Sequence, residues 1–339
     1  MLLVEFPDIK DTMKRIRGIA NHTPIMTSSN IDSMANCNVF FKCENFQKGG
    51  AFKFRGAYNA ISQLSDEEKE KGVIAHSSGN HAQAVALASR MLGIDATIVM
   101  PRNSTKVKQE ATKGYGAYVV MCEPTLEGRE NTTKDIISEE GQTLIHPYNN
   151  PNVIAGAGTA ALELLQEIKN LDCILAPVGG GGLISGTSLA AKGVDSSVEV
   201  VGVEPSNADD AYRSFTTGRF HPSVNPHTIA DGLLTSLGEL SFDIISNNVD
   251  DIQLVDDAEI VNAMRLLWER MKLVVEPSSA VPLAGIMRHK GRFRNKRVGI
   301  IISGGNVDLS SFFNGLKERA HKNDAKSTTS LDGGRIKER

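Results

Sequence analysis

The chain has 339 residues, 40% hydrophobic and 23% charged, with a formal net charge of −3 at pH 7. That length suits two domains or one large one, and the balance is that of an ordinary soluble globular protein. A slightly acidic chain with a single tryptophan offers no bulk attraction for nucleic acid or an anionic membrane, and few platforms on which bases could stack.

The opening Met1-Leu2-Leu3-Val4 runs straight into Glu5, Pro7 and Asp8, so no signal peptide is expected, and no apolar run reaches membrane-spanning length. Ile9, Met13, Ile16 and Ala20 share one helical face, as do Phe54, Ala57, Tyr58 and Ile61, and later Val261, Met264, Trp268 and Met271. Apolar β-rich runs predict strands at Val39–Cys43, Val73–His76, Ala96–Met100, Ala117–Cys122, Cys173–Ala176, Val198–Glu204, Ile252–Val255 and Val298–Ser303. Ser104 reads as the N-cap of a helix that Gly114 ends. Alternating strands and helices imply an α/β protein whose mostly parallel sheet is covered on both faces. The polar segment Leu64–Gly72 and the Pro- and Asn-rich His146–Pro151 bound an expected small domain, 72–149, inserted between the halves of a larger one, 1–71 and 150–318. Residues 319–339 lose hydrophobic periodicity and read as a disordered tail. Cys37, Cys43, Cys122 and Cys173 form no C-x-x-C pair and no zinc-ligand spacing, so buried, reduced thiols in a cytoplasmic protein are expected.

Ligands of open parallel sheets bind beyond the carboxyl ends of strands, which singles out four loops. Gly179, Gly180, Gly181 and Gly182 follow the strand Cys173–Ala176 and precede a helix-like stretch, Leu183–Ala191. Backbone N–H groups at such a turn suit a phosphate, and the absence of a following Lys-Ser/Thr argues against a phosphate that is transferred. A tight turn with glycines for close packing is the other reading. Ser77, Ser78, Gly79, Asn80 and His81 open a helix, where hydroxyls and free N–H groups suit a carboxylate or simply cap the helix. Glu204 to Asp210 holds three carboxylates, read either as ligands for a hard divalent cation or as an acidic first turn. Ser303 to Asn306 repeats the Gly-Asn style after another strand. Lys53 sits between Phe52 and Phe54 at a helix start, where dipole and apolar neighbours both favour the neutral amine that a Schiff-base lysine needs, unless its head simply reaches water. Gly156 to Ala161 matches G-x-G-x-x-A without the preceding strand or following acid of a dinucleotide site, which leaves close backbone packing or a cofactor flank.

Taken in order, Thr23-Pro24, Lys42, Phe52-Lys53, Ser77–His81, Gly179–Gly182, Glu204 and Ser303–Asn306 resemble the fold-type-II pyridoxal-phosphate enzymes. The likeness runs from about Asp8 to Leu316 and is strongest to the branch holding serine/threonine dehydratases and serine racemases. It implies two open, twisted, mostly parallel sheets flanked by helices, pyridoxal 5′-phosphate as cofactor, and racemisation or β-elimination of a small hydroxy-amino acid. By resemblance Lys53 binds the cofactor and acts on one face of the substrate Cα, and Ser78 acts on the other. Gly179–Gly182 hold the phosphate, Phe52 packs on the ring, Asn80 meets the ring hydroxyl and Ser303 the ring nitrogen. Ser77–His81 receive the substrate carboxylate. Glu204, Asp210 and the Ala208 carbonyl correspond to ligands of Mg²⁺ or Ca²⁺. Lys48, Gln83, Tyr115, Lys272, Glu276 and Asn306 match positions that bind ATP or ADP at a homodimer interface. Arg129 is placed to meet a second carboxylate, as in 3-hydroxyaspartate, or to be a solvated helix arginine. A short catabolic threonine deaminase or a 3-hydroxyaspartate dehydratase/racemase remains the alternative within the branch. The Ser-Ser-Gly-Asn-His-Ala loop departs from the Thr-Ser-Gly-Asn-Thr-Gly of cysteine synthases, which counts against β-replacement.

Overall fold

The computed structural model describes residues 4–77, 79–104, 106–309 and 314. Its strands form two sheets. A six-stranded sheet has the order β1 (Ile25–Met26), β2 (Asn38–Cys43), β10 (Arg297–Ile302), β7 (Cys173–Pro177), β8 (Glu199–Pro205) and β9 (Asp251–Val255). Only the β1–β2 pair is antiparallel. A four-stranded parallel sheet has the order β5 (Tyr118–Cys122), β4 (Ala96–Pro101), β3 (Val73–His76) and β6 (Thr143–Leu144). Every strand expected from the sequence is present within a residue or two. The two-residue strands β1 and β6 escaped, being too short to show a period. β4 and β7 are buried along their whole length, as strands covered on both faces must be.

The chain divides into two units, one ending at Gly305 and the other running from Asn306 to Arg339. The expected disordered tail, 319–339, lies outside the described residues. No described helix is long and apolar enough to cross a membrane. All four cysteines are buried and free, and burial pushes the thiols of Cys37, Cys43 and Cys173 up to about 11 or 12, so they are inert.

Ser104 is not the cap expected of it. The helix begins later, at Lys106, and among the described residues the Ser104 hydroxyl has no hydrogen-bond partner. Gly156 and Gly158 lie inside the helix Pro151–Glu167, where they serve packing. A Cβ on Gly156 would stand 2.4 Å from Gly56 Cα, and one on Gly186 would stand 2.5 Å from Gly158 N. The helix Pro151–Glu167 therefore grips the helix Lys53–Ser62 on one side and the helix Gly182–Val194 on the other, backbone against backbone. That contact fixes the relative position of two helix starts, one carrying Lys53 and the other the glycine loop.

Candidate active site

Four helices around the predicted residues start with no side-chain cap, and two of them open at predicted loops. They are Lys53–Ser62 after Phe52, Asn80–Leu92 after Gly79, Gly182–Val194 after Gly181, and Pro277–Arg288 after Glu276. Elsewhere Ser65, Thr125, Asn150 and Asp256 cap their helices in the ordinary way. The first N–H groups of a helix have no intrahelical partner, so uncapped starts are ready donors to anions.

Hydrogen bonds and close contacts join these starts into one group. Lys53 Nζ donates to the Pro147 carbonyl at 2.7 Å and lies 5.0 Å from the Phe52 ring centre. Burial drives the Lys53 amine down to about 8, against a smaller upward pull from the Glu276 carboxylate. Phe52 N–H donates to the Ser303 carbonyl at 2.9 Å, so the tip of β10 is fastened to the residue before the lysine. Asn80 Nδ2 donates to both Glu276 oxygens, at 2.8 and 2.9 Å. The Ser303 hydroxyl is 2.9 Å from the Ser279 hydroxyl.

The glycine loop combines both of its sequence readings. Gly181 has φ +86°, and a Cβ there would stand 2.6 Å from Ser241. A Cβ on Gly180 would stand 2.3 Å from the Tyr148 ring, and one on Gly182 2.9 Å from Tyr148 Cβ. The glycines are thus required by packing, and they still leave an open helix start. Tyr148 follows Pro147 in sequence, so the partner of Lys53 and the cover of the glycine loop are adjacent residues. The Tyr148 hydroxyl pairs with Thr235 at 2.8 Å. Gly238 N–H donates to the Gly180 carbonyl at 3.1 Å, which brings the 235–238 segment over the loop.

Three histidines line the adjoining side and are held neutral. His81 Nε2 meets the Ile145 carbonyl at 2.7 Å, which makes Nε2 the protonated nitrogen. Burial, then the charge of Lys53, holds the ring well below its ordinary value. Among the described residues its buried Nδ1 has no hydrogen-bond partner. Burial lowers His146 to about 4 and lowers His76 as well. Their rings meet edge to face at 5.8 Å, and His146 meets Tyr148 the same way at 4.7 Å. Ser77 Oγ accepts from Gly79 N–H at 3.2 Å, bracing the loop rather than capping the helix. Ser78 lies outside the described residues.

Glu204 accepts from the N–H groups of Ala211 and Tyr212 at 3.2 and 2.8 Å, so it does complement the start of the helix Asp210–Thr217. Burial, then the charge of Asp210, holds its carboxyl well above the usual range, and burial raises Asp210 too. Asp210 Oδ2 accepts from Leu237 N–H at 2.8 Å, while among the described residues its buried Oδ1 has no hydrogen-bond partner. Ala208 is buried between them in sequence. Among the described residues no group of three or more His, Cys, Asp or Glu side chains is set to hold a metal.

The six nucleotide candidates belong to separate elements of the chain. Lys48 lies in a short turn that packs against the helix bearing the buried Gln83. Tyr115 stacks under Arg90, and Lys272 ends a π-helical turn with φ +60°. Asn306 opens the second unit. Glu276 is placed instead beside Asn80 and Lys53. Tyr148, Pro147, Thr235 and Ser279 belong to the site and were missed, since nothing in their local sequence carries a motif.

The family of pyridoxal-phosphate dependent enzymes is matched over residues 16–304. The chain belongs to that family. Among its relatives, a serine racemase of Dictyostelium discoideum is 50% identical over 315 residues, 92% of this chain and 97% of the relative. An L-threo-3-hydroxyaspartate ammonia-lyase of Saccharomyces cerevisiae is 47% identical, over 92% of this chain and 96% of that one. The crystal structure of the Dictyostelium serine racemase superposes with a TM-score of 0.87, covering 90% of this chain and 99% of its own. The two sheets and flanking helices are those of a fold-type-II pyridoxal-phosphate enzyme, and the chain is an enzyme of that chemistry.

The residues present fit the cofactor. An amine with a depressed pKa, an uncapped glycine-lined helix start and a hydroxyl at the tip of β10 match an aldehyde, a phosphate and a ring nitrogen respectively.

Proposed function

We propose that the chain is a pyridoxal-phosphate-dependent serine racemase that also dehydrates serine and threonine to 2-oxo acid and ammonia. The observation that carries the reading is Lys53, an amine desolvated to a pKa of about 8 at the meeting point of uncapped helix starts. The relatives' serine racemase and ammonia-lyase names give the substrate class.

Bound pyridoxal phosphate supplies the sink for the electron pair left on the substrate Cα. Lys53 would hold the cofactor covalently until the substrate amine displaces it, and its freed amine would then take or return the Cα proton on one face. Ser78 does so on the other face, which permits inversion. The backbone N–H groups of Gly179–Gly182 hold the phosphate as an anchor, with Phe52 against the ring and Asn80 at its hydroxyl. Ser77–His81 present hydroxyls and helix-start N–H groups to the substrate carboxylate. Neutral His76, His81 and His146 add no positive charge that would compete for it. Residues 72–149, carrying this loop, form the smaller domain, and 1–71 with 150–318 the larger.

Glu204, Asp210 and the Ala208 carbonyl hold Mg²⁺ or Ca²⁺ in this reading. Two carboxyls raised by burial, with a buried oxygen left over, are a pairing that a cation relieves. Through Leu237 and Gly238 such an ion would steady the segment covering the glycine loop. ATP or ADP as activator, homodimer assembly and a cytoplasmic location complete the proposal. A melting temperature indifferent both to chelator and to ATP would contradict the ion and the nucleotide together.

A second reading takes 3-hydroxyaspartate as substrate. Arg129 has a buried Nε with no hydrogen-bond partner among the described residues and lies close enough to lower His76 by its charge. Comparing serine, threonine and 3-hydroxyaspartate as substrates of one preparation ranks the two readings.

The purified protein is expected to show a visible absorbance band that Lys53→Ala abolishes; an unchanged spectrum in the variant contradicts the role of Lys53. Ser78→Ala is expected to lose D/L interconversion and keep some elimination from L-serine.

A further inference from the structure

The Ser279 hydroxyl meets three groups. Gly304 N–H reaches it at 2.7 Å, the Gly304 carbonyl lies at 2.7 Å, and the Ser303 hydroxyl lies at 2.9 Å. Both serines are buried. The backbone N–H can only donate and the carbonyl can only accept, so Ser279 must choose where its one proton goes. If it goes to the Gly304 carbonyl, Ser303 must give its own proton to Ser279 and shows only lone pairs outward. If it goes to Ser303, the Ser303 proton is released to point outward. The Gly304 carbonyl is not orphaned by the second choice, because Glu276 N–H also donates to it at 3.2 Å.

We propose that Ser279 is a positioning residue for the cofactor's ring nitrogen. In the holoenzyme it donates to Ser303, and Ser303 donates to an unprotonated nitrogen. The proposal rests on the reading that Ser303 faces that nitrogen. Three donors then run in one direction, from Gly304 N–H through Ser279 and Ser303 to the ring, starting at a group that cannot reverse. Ser279 stands in the first turn of the uncapped helix Pro277–Arg288, whose positive end opposes a cationic ring. The neighbouring carboxylate, Glu276, turns both oxygens to Asn80.

The same two residues are clamped to the lysine. Phe52 N–H donates to the Ser303 carbonyl at 2.9 Å, and Ala51 bridges Gly304 in antiparallel fashion. A hydroxyl that sets Ser303 is therefore held in register with the residue that holds the cofactor's other end. Sequence reading had no reason to find Ser279, which sits 24 positions from Ser303 in a separate element.

The test is the ¹⁵N NMR signal of pyridoxal phosphate labelled at the ring nitrogen, bound to the holoenzyme and to Ser279→Ala, Ser279→Thr and Ser303→Ala variants. The unmodified enzyme is expected to give the signal of an unprotonated, hydrogen-bonded nitrogen. Ser279→Ala is expected to move it toward the Ser303→Ala signal and to weaken cofactor binding about 3- to 10-fold, with Ser279→Thr restoring both. The double variant is expected to bind no more weakly than Ser303→Ala alone, which a merely structural role for Ser279 would not produce. A protonated nitrogen in the unmodified enzyme overturns the proposal. So does a Ser279→Ala signal equal to that of the unmodified enzyme while Ser303→Ala shifts. A Ser303→Ala signal that does not move overturns the placement of Ser303 beneath it.

Discussion

Lys53 and Arg55 are two residues apart on one helix, and the fold treats them in opposite ways. Lys53 is desolvated with little compensation, so its amine falls to about 8. Arg55 is fully buried, which alone would weaken its charge, but Glu44 and Glu163 more than offset that and raise it. Its guanidinium donates to Glu44 at 2.7 and 2.8 Å and to Glu163 at 2.7 and 2.8 Å. Lys42 joins the same group, with Nζ 2.6 Å from Glu163 and 2.6 Å from the Thr23 carbonyl. Thr23 Oγ1 in turn donates to Glu44 at 2.6 Å. One cation is kept reactive by being left short of partners. The other is kept charged and anchors the helix that presents the first.

The largest effect should come from breaking the anchored side. Arg55→Met removes the cation shared by two buried carboxylates, leaving Glu44 only Thr23 and Glu163 only Lys42 of this network, and is expected to cost about 3–5 kcal/mol in urea unfolding; a loss under about 1 kcal/mol would mean the network carries no stability. Burial raises the Glu163 carboxyl, but hydrogen bonding and charge from Arg55 and then Lys42 leave it lowered overall. Its contribution is therefore present above its unfolded pKa and lost as pH falls through the folded one.

The reactive side should also gain stability as pH rises, but in an alkaline window and more weakly. In protein stripped of cofactor, Lys53 has a folded pKa of about 8, below the roughly 10.4 of an unfolded chain. The unfolded state binds the extra proton across that window, so stability should rise with pH there, by up to about 1.4 kcal/mol per unit. Lys53→Met should flatten that slope, and an equal slope in both proteins would show that Lys53 is not desolvated.

The smallest effect belongs to the partner that Lys53 does have. Glu276→Gln removes an upward pull, so the pH midpoint of cofactor uptake should move down by less than about one unit. A midpoint that moves up would reverse the sign assigned to Glu276.

The same contrast explains what could be read in advance. Lys53, the glycine loop, Asn80 and Ser303 were legible because each sits at a strand end or helix start whose local sequence is itself the signal. The strands were legible from their apolar runs. Arg55 reads as an ordinary helix arginine until Glu163, 108 positions away, is folded against it. Glu276 reads as one of six scattered polar residues until Asn80, 196 positions away, meets it. Tyr148 explains two of the four glycines, yet no spacing rule links an irregular loop to a turn across the fold. Partners brought together only by tertiary packing leave no period and no motif.

The central claim is that this site inverts and eliminates at the same Cα. The most direct measurement is incubation of the purified holoenzyme with L-serine and, separately, D-serine, with chiral separation and pyruvate detection in the same tube. The account predicts that each enantiomer yields the other and that pyruvate accumulates alongside. Pyruvate with no trace of the opposite enantiomer, or neither product from either serine, would contradict it.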